Sequence, residues 1–271
     1  MGRRHRARVP LPAVSAAAGP PGIHVVDCGN ADPGAPLVVL VHGVLDSCTS
    51  FAATMERLAD LRVMTYDRRG WGASLDARPP AASLSAHADD LLAILDGRRA
   101  TVIGHSMGGN VAMVAAARWP DLVASVAVFE PHAPWVEGWP EEVQAGVQAT
   151  AADPDAEAVG ESAYLRTYGP TRWAELPEET RRRRRAEGAA FQVDLGTGWA
   201  TGAAFARAPV PTVVACGERS APFFVDACRR LAADLPADYV EIAGARHGAH
   251  VSHPDQFAAL IRTTVAAGRR S

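Results

Sequence analysis

The chain has 271 residues and a formal net charge of −3, which excludes the strongly basic footprint of a nucleic-acid-binding protein. Apolar residues make up 48% and charged residues 21%, enough apolar material for a sizeable core and too little charge for a disordered chain. No stretch of about 18 apolar residues occurs, so no membrane-spanning helix is expected.

All 27 basic residues are arginine, which removes lysine from every catalytic role, Schiff-base chemistry included. Heavy alanine use alongside this points to GC-rich coding and a bacterial source. Cys28, Cys48, Cys216 and Cys228 show neither C-x-x-C nor zinc-finger spacing and are expected to be reduced and core-filling, as in the cytoplasm. The basic start Met1–Arg8 runs into Pro10, Pro12, Pro20 and Pro21 without a compact apolar stretch. Residues 1–20 therefore read as a flexible tail rather than a secretory signal, and a cytoplasmic location follows.

From Ile23 onward, short β-branched runs alternate with amphipathic stretches. Strands are predicted over Ile23–Cys28, Pro36–His42, Arg62–Asp67, Thr101–Gly104 and Ala124–Glu130, with helices over Ser50–Asp60, Leu84–Asp96 and Met107–Trp119 between them. The segment from Pro131 to about Ala200 is polar and helix-prone with no convincing strand. The alternation resumes with a strand at Pro211–Gly217, a helix at Pro222–Leu235, a strand at Tyr239–Ile242 and a helix at Pro254–Ala267. This order predicts an α/β fold with a mainly parallel central sheet and helices on both faces. A structureless loop of some 70 residues would be out of place in a compact domain. The interruption therefore reads as a helical cap over 133–199, leaving a core of 21–132 and 200–271.

Gly104-His105-Ser106-Met107-Gly108 matches G-x-S-x-G. It directly follows one predicted strand and directly precedes a helix, the setting in which such a serine sits on a sharp, strained turn with its hydroxyl raised above the strand ends. His42-Gly43-Val44 follows the Pro-Leu-Val-Val-Leu-Val strand. Asp67-Arg68-Arg69-Gly70-Trp71-Gly72-Ala73-Ser74 follows the next strand. Gly244-Ala245-Arg246-His247 precedes Pro254 by seven residues. With these four ordered motifs the sequence resembles the α/β-hydrolase superfamily over roughly Leu37–Ala267. The resemblance implies the α/β-hydrolase fold, with the cap inserted after the sixth strand, and a serine hydrolase of the G-x-S-x-G type.

A serine hydroxyl needs a base, and imidazole has the suitable pKa. The resemblance points to His247, with His250 and His253 close enough in sequence to compete; His42 reads as a structural member of the oxyanion loop. The family's usual G-x-x-D turn after the penultimate parallel strand here reads Gly217-Glu218-Arg219-Ser220. Serine cannot stabilise imidazolium as a carboxylate does, so the triad acid is expected at the alternative family position, Glu130, with Glu218 and Asp226 as the remaining candidates. The oxyanion hole is expected from the backbone N–H groups of Val44 and Met107.

These features imply cleavage of a carboxylic ester through an acyl-enzyme, with lactones and thioesters left open and no cofactor or metal. Acyl transfer or C–C bond hydrolysis on the same site is the alternative, and a ligand-binding protein with little turnover is the alternative of another class. Trp135, Trp139, Trp173 and Trp199, with Tyr164 and Tyr168, fall in the cap, where they can line a pocket or glue the cap to the core. A small-molecule acyl substrate of medium size and largely apolar character is expected under the cap, bordered by Leu45, Met107, Trp135, Phe223 and His250. The five arginines Arg181–Arg185, flanked by Glu178, Glu179 and Glu187, read as a solvated, salt-linked helix face. Oligomeric state is not encoded in any of these signals.

Overall fold

The computed structural model describes residues 19–32, 34–137, 139–197 and 210–270. The strands are β1 (Val25–Gly29), β2 (Leu37–Val41), β3 (Arg62–Tyr66), β4 (Ala100–His105), β5 (Val123–Phe129), β6 (Thr212–Gly217) and β7 (Asp238–Ile242). They form one sheet in the order β1-β3-β2-β4-β5-β6-β7. Only β1 runs antiparallel to its neighbour, pairing Val25 with Tyr66. All other pairs are parallel.

Parallel strands covered on both faces must be apolar on both, and β2, Leu-Val-Val-Leu-Val, is buried along its whole length. Side chains alternate between faces. Val39, Val41, Val102, Val128 and Val214 point to one side, against α2 (Leu84–Leu95), α3 (Met107–Arg118) and α8 (Pro222–Asp234). Val38, Leu40, Ile103, Phe129 and Ala215 point to the other, against α1 (Ala52–Met55) and α10 (Pro254–Gly268), the latter following the short α9 (Ala249–Ser252).

The helix expected over Ser50–Asp60 is shorter than its apolar spacing suggests. A 3-10 turn at Cys48–Phe51 leads into α1, and Arg57 and Leu58 then donate to Thr54 and Met55 three residues back, tightening the chain into turns. Phe51, Met55 and Leu58 are nonetheless buried, so the pattern marked the core-facing side correctly and overestimated the helix length.

Between β5 and β6 lie four helices and no strand among the described residues: α4 (Glu141–Ala151), α5 (Ala156–Ala174), α6 (Glu178–Ala186) and α7 (Gly188–Thr197). Five strands rather than six precede this insertion, because β1 is the single described strand ahead of β2. Inside α5, Gly169 leaves helical geometry at φ 83°, ψ 163° ahead of Pro170, which breaks the helix into two. All four cysteines are buried and free. No described helix is long and apolar enough to cross a membrane.

Candidate active site

Ser106 stands between the last residue of β4 and the first of α3, at φ 51° and ψ −124°. A non-glycine residue held in this region costs of order 1–3 kcal/mol and persists only where its surroundings enforce it. Here a Cβ on Gly104 would overlap the Gly108 carbonyl and one on Gly108 would overlap the Val41 carbonyl, so both positions need glycine for the strand and helix to approach this closely. The Ser106 N–H donates to Phe129 O at 2.9 Å, and Gly109 N–H donates to Ser106 O at 2.8 Å. The turn is thus fastened to the end of β5 on one side and to α3 on the other.

The loop after β2 lies directly against this turn. A Cβ on Gly43 would come within 2.9 Å of Ser106 Cβ and 3.0 Å of His105 Nδ1. His42 is fully buried, and its tautomer is fixed by its neighbours. Nδ1 donates to Gly43 O at 2.7 Å, while Nε2 accepts from the Arg68 backbone N–H at 2.9 Å. Burial, reinforced by the Arg68 charge, lowers its pKa to about 4, so the ring is neutral near pH 7. Val44 and Met107, the two expected main-chain donors, therefore sit on the two segments that flank Ser106. Leu45 follows at φ 56°, buried.

His247 Nδ1 is 2.6 Å from Glu130 Oε2. Glu130 is entirely buried at the end of β5, with its own backbone at φ 46° and its N–H donating to Ala215 O at 2.9 Å. Its second oxygen, Oε1, accepts from the Gly217 N–H at 2.7 Å and from the Ser220 hydroxyl. Ser220, at the position where the family's aspartate is usual, thus supports a carboxylate that comes from another strand. Glu218 instead caps the Gly244 N–H, and Asp226 is exposed beside Arg229. The carboxylate compels His247 Nδ1 to carry the proton, leaving Nε2 as the basic nitrogen.

Two contacts that sequence spacing does not reveal hold the His247 loop. His105 Nε2 donates to the His247 carbonyl at 2.9 Å, which ties the loop to the residue before Ser106. The Phe224 ring stacks on the His247 imidazole at 4.9 Å between centroids. His105 is buried and its pKa is driven well down by desolvation, with the nearby His250 and His247 adding to the effect.

The expected substrate contacts separate into two groups. Phe223 and Trp135 are half-buried at the edge of the core. Phe223 packs at 5.1 Å against Trp139, and Trp139 meets His132 at 5.0 Å and Phe224 at 5.5 Å, so an aromatic array leads from the insertion to His247. His250 is different. It is buried, with Nε2 3.2 Å from Asp46 Oδ2 and its ring 5.0 Å from Phe51. Although burial works to raise the Asp46 carboxyl, the His250 hydrogen bond and neighbouring histidines hold it well below the usual range. His250 therefore packs into the core through its ring and pairs with Asp46 through Nε2, while its Nδ1 is buried without a hydrogen-bond partner among the described residues.

Trp173 and Tyr164 are buried, while Tyr168 is exposed; Trp199 lies outside the described residues. The arginine run is salt-linked, with Arg181 to Glu178 at 2.9 Å, Arg184 to Glu187 at 2.6 Å and Arg185 to Glu161 at 2.6 Å. Two groups among the described residues bring three metal-type ligands together, His24/Cys48/Asp67 and Asp46/His105/His250. In the first, both Asp67 oxygens already accept backbone N–H groups, from Cys48 and Ala73 at 2.7 Å each; in the second, Asp46 is paired with His250.

The family model for the alpha/beta hydrolase fold matches residues 36–254. Over 122 residues the chain is 34% identical to the provisionally named carbamate hydrolase RutD of Caulobacter vibrioides, a match covering 44% of this chain and 43% of that protein. The chain therefore matches less than half the length of this relative. A thermophilic esterase from Thermogutta terrifontis shares the fold at a TM-score of 0.69 and 22% identity, covering 94% of this chain and 98% of that one. An alpha/beta hydrolase from Sphaerobacter thermophilus superposes at a TM-score of 0.65 with 28% identity, covering 89% of this chain and 95% of its own. With a family match across most of its length and an elbow, loop and sheet order to go with it, the chain belongs to the alpha/beta hydrolase fold family.

Proposed function

We propose that the protein is a serine hydrolase of carboxylic esters, with lactones and thioesters within reach of the same chemistry, acting through Ser106, His247 and Glu130. The observation that carries this reading is the 2.6 Å contact between His247 Nδ1 and the buried Glu130 carboxylate, in a loop tied to the residue next to the strained Ser106. In the reaction, Ser106 Oγ attacks the acyl carbonyl carbon while His247 Nε2 takes the hydroxyl proton. The negative charge on the carbonyl oxygen is met by the N–H groups of Val44 and Met107, and Glu130 steadies the imidazolium. Collapse expels the alcohol, which receives the proton from His247, and leaves Ser106 acylated. A water molecule deprotonated by His247 then releases the acid and restores the serine.

The helices over 133–199 serve in this reading as a cap on a core of 21–132 and 200–271. The acyl group lies along Trp135, Phe223 and the Trp139–Phe224 array beside Leu45 and Met107. A fluorophosphonate probe tests the proposal: the wild type should be labelled and the Ser106→Ala variant should not, and a panel of esters should be hydrolysed by the wild type alone. A folded wild-type protein that neither reacts with the probe nor turns over any ester or thioester would refute it.

A further inference from the structure

Arg68 is entirely buried, and each part of it has a partner. Nε donates to His42 O at 2.9 Å, Nη2 to Gly43 O at 3.1 Å, and Nη1 and Nη2 to the two oxygens of Asp194 at 3.0 and 2.8 Å. Asp194 is equally buried and lies on α7, in the inserted helices, and His87 Nε2 on α2 is 3.2 Å from its Oδ1. Burial works to raise the Asp194 carboxyl, but the Arg68 charge and His87 hold it well below the carboxylate range, so it is ionised near neutrality.

The rest of that face of α7 rests on the same loop. Glu187 accepts from the Gly72 N–H at 3.1 Å, a Cβ on Gly70 would come within 2.7 Å of Ala190 Cβ, and Phe191 meets the Trp71 ring at 6.4 Å. Residues 187, 190, 191 and 194 recur at helical spacing, so one stripe of α7 and its N-terminal flank reads the loop 67–72.

A buried ion pair is a poor source of stability, since well-packed apolar residues often do as well or better. Its geometry has a more specific consequence. The Gly43 carbonyl and the Val44 N–H belong to one planar trans peptide unit and point in opposite directions. Gly43 O is held by two donors, Arg68 Nη2 and His42 Nδ1, so the direction of the Val44 N–H is fixed as well. We propose that Arg68 and Asp194 are positioning residues that aim the Val44 N–H at the developing oxyanion, and that they make this aim depend on α7 being seated. The inference rests on the serine-hydrolase reading above, and it adds that the inserted helices help set the catalytic geometry as well as covering the site.

The test is the second-order rate of fluorophosphonate labelling, measured with ester kcat and KM, thermal unfolding and hydrogen exchange over residues 42–46. Asp194→Asn keeps the shape and removes the charge; it should slow labelling and kcat on the order of tenfold to hundredfold, leave KM within about threefold and speed exchange at the Val44 amide. The double variant Arg68→Met/Asp194→Leu removes the buried charges together. It should recover thermal stability without recovering labelling rate, which a purely structural role for the pair would restore. Wild-type labelling rates in either variant would overturn the proposal while leaving Ser106 as nucleophile intact. Failure of the wild type itself to label would instead remove the serine-hydrolase reading and this inference with it.

Discussion

Glu130 and His247, 117 residues apart in sequence, meet at 2.6 Å, and the glutamate oxygen that does not face the imidazole is held by Gly217 N–H and Ser220 Oγ. The carboxylate is thus fixed at both ends before it can act on the ring. Replacing Glu130 by glutamine would put an amide where the carboxylate accepts the Nδ1 proton, and an inverted tautomer would leave Nε2 unable to take the Ser106 proton. We expect Glu130→Gln to lower kcat by roughly 10³- to 10⁴-fold with little change in KM, in line with the effect of removing the carboxylate in a serine triad. Ser220→Ala removes one of two donors to the distal oxygen and should cost about tenfold or less. Comparable losses in steady-state assays of the two variants would move the triad acid away from Glu130.

The contrast between Glu130 and Ser220 also shows what could be read from the chain. The placement of Ser106 on a turn between strand and helix was legible because a short motif fell between the two, and Glu130 was singled out because the usual aspartate position holds a serine that cannot carry the charge. The buried, mainly parallel sheet was legible in uninterrupted apolar runs such as Leu37–Val41, which two-sided burial explains. Other features depend on long-range contacts that leave no local pattern. His105 reaching the His247 carbonyl, Phe224 stacking on the imidazole and Asp194 meeting Arg68 each join elements far apart in sequence. The surroundings of His250 were not legible for the same reason: its contacts with Phe51 and Asp46 come from the loop and 3-10 turn that follow β2, some 200 residues earlier in the chain.

Gly43 carries a second prediction. A methyl group there would sit 2.9 Å from Ser106 Cβ and 3.0 Å from His105 Nδ1, so the loop bearing Val44 would have to retreat from the elbow. Gly43→Ala should therefore lower kcat about a hundredfold, the scale of losing one oxyanion donor. Gly146 in α4 has open space around its Cβ position. Gly146→Ala should leave kcat unchanged and raise stability by roughly 0.5–1 kcal/mol, as expected for an exposed helix interior. Equal kcat for Gly43→Ala and wild type would show that the loop tolerates displacement.

Acid should destabilise the fold through its buried neutral histidines. His132 is buried beside Trp139, and desolvation lowers its pKa to about 4, with the Asp194 charge opposing the shift. The unfolded chain binds a proton at this residue below its ordinary value near 6.5, while the folded protein resists doing so until about pH 4. The stabilising contribution is therefore complete above pH 6.5 and is lost as the pH falls toward 4. Between pH 7 and pH 5 the loss from this residue is about 2 kcal/mol. His42, also lowered to about 4, adds to the same trend. In urea unfolding at pH 7, 6 and 5, His132→Phe should flatten the decline, because it keeps the ring against Trp139 and removes the titration. An unchanged slope in that variant would assign the acid sensitivity elsewhere.

The aromatic array supplies a last prediction, in which two neighbouring rings should behave differently. Phe224 stacks on His247 at 4.9 Å and is therefore one of the contacts that limit the tilt of the imidazole. Phe223 contacts Trp139 at 5.1 Å and Phe224 at 4.6 Å and lies one ring further from the chemistry. Truncating Phe224 should free the imidazole to sample tilted orientations, so Phe224→Ala is expected to lower kcat about tenfold for esters of every chain length. Phe223→Ala removes apolar surface that only a longer acyl chain can cover. Its KM should rise about three- to tenfold for acyl chains of six to eight carbons and stay near wild type for acetyl esters, matching the roughly 0.8 kcal/mol carried by each buried methylene. Trp135→Ala should follow the Phe223 pattern, since both are half-buried against the same core face. A chain-length series of p-nitrophenyl esters separates the two behaviours: a uniform kcat loss in both phenylalanine variants would mean that both rings act only by holding His247, and a KM indifferent to chain length in Phe223→Ala and Trp135→Ala would place the acyl group elsewhere.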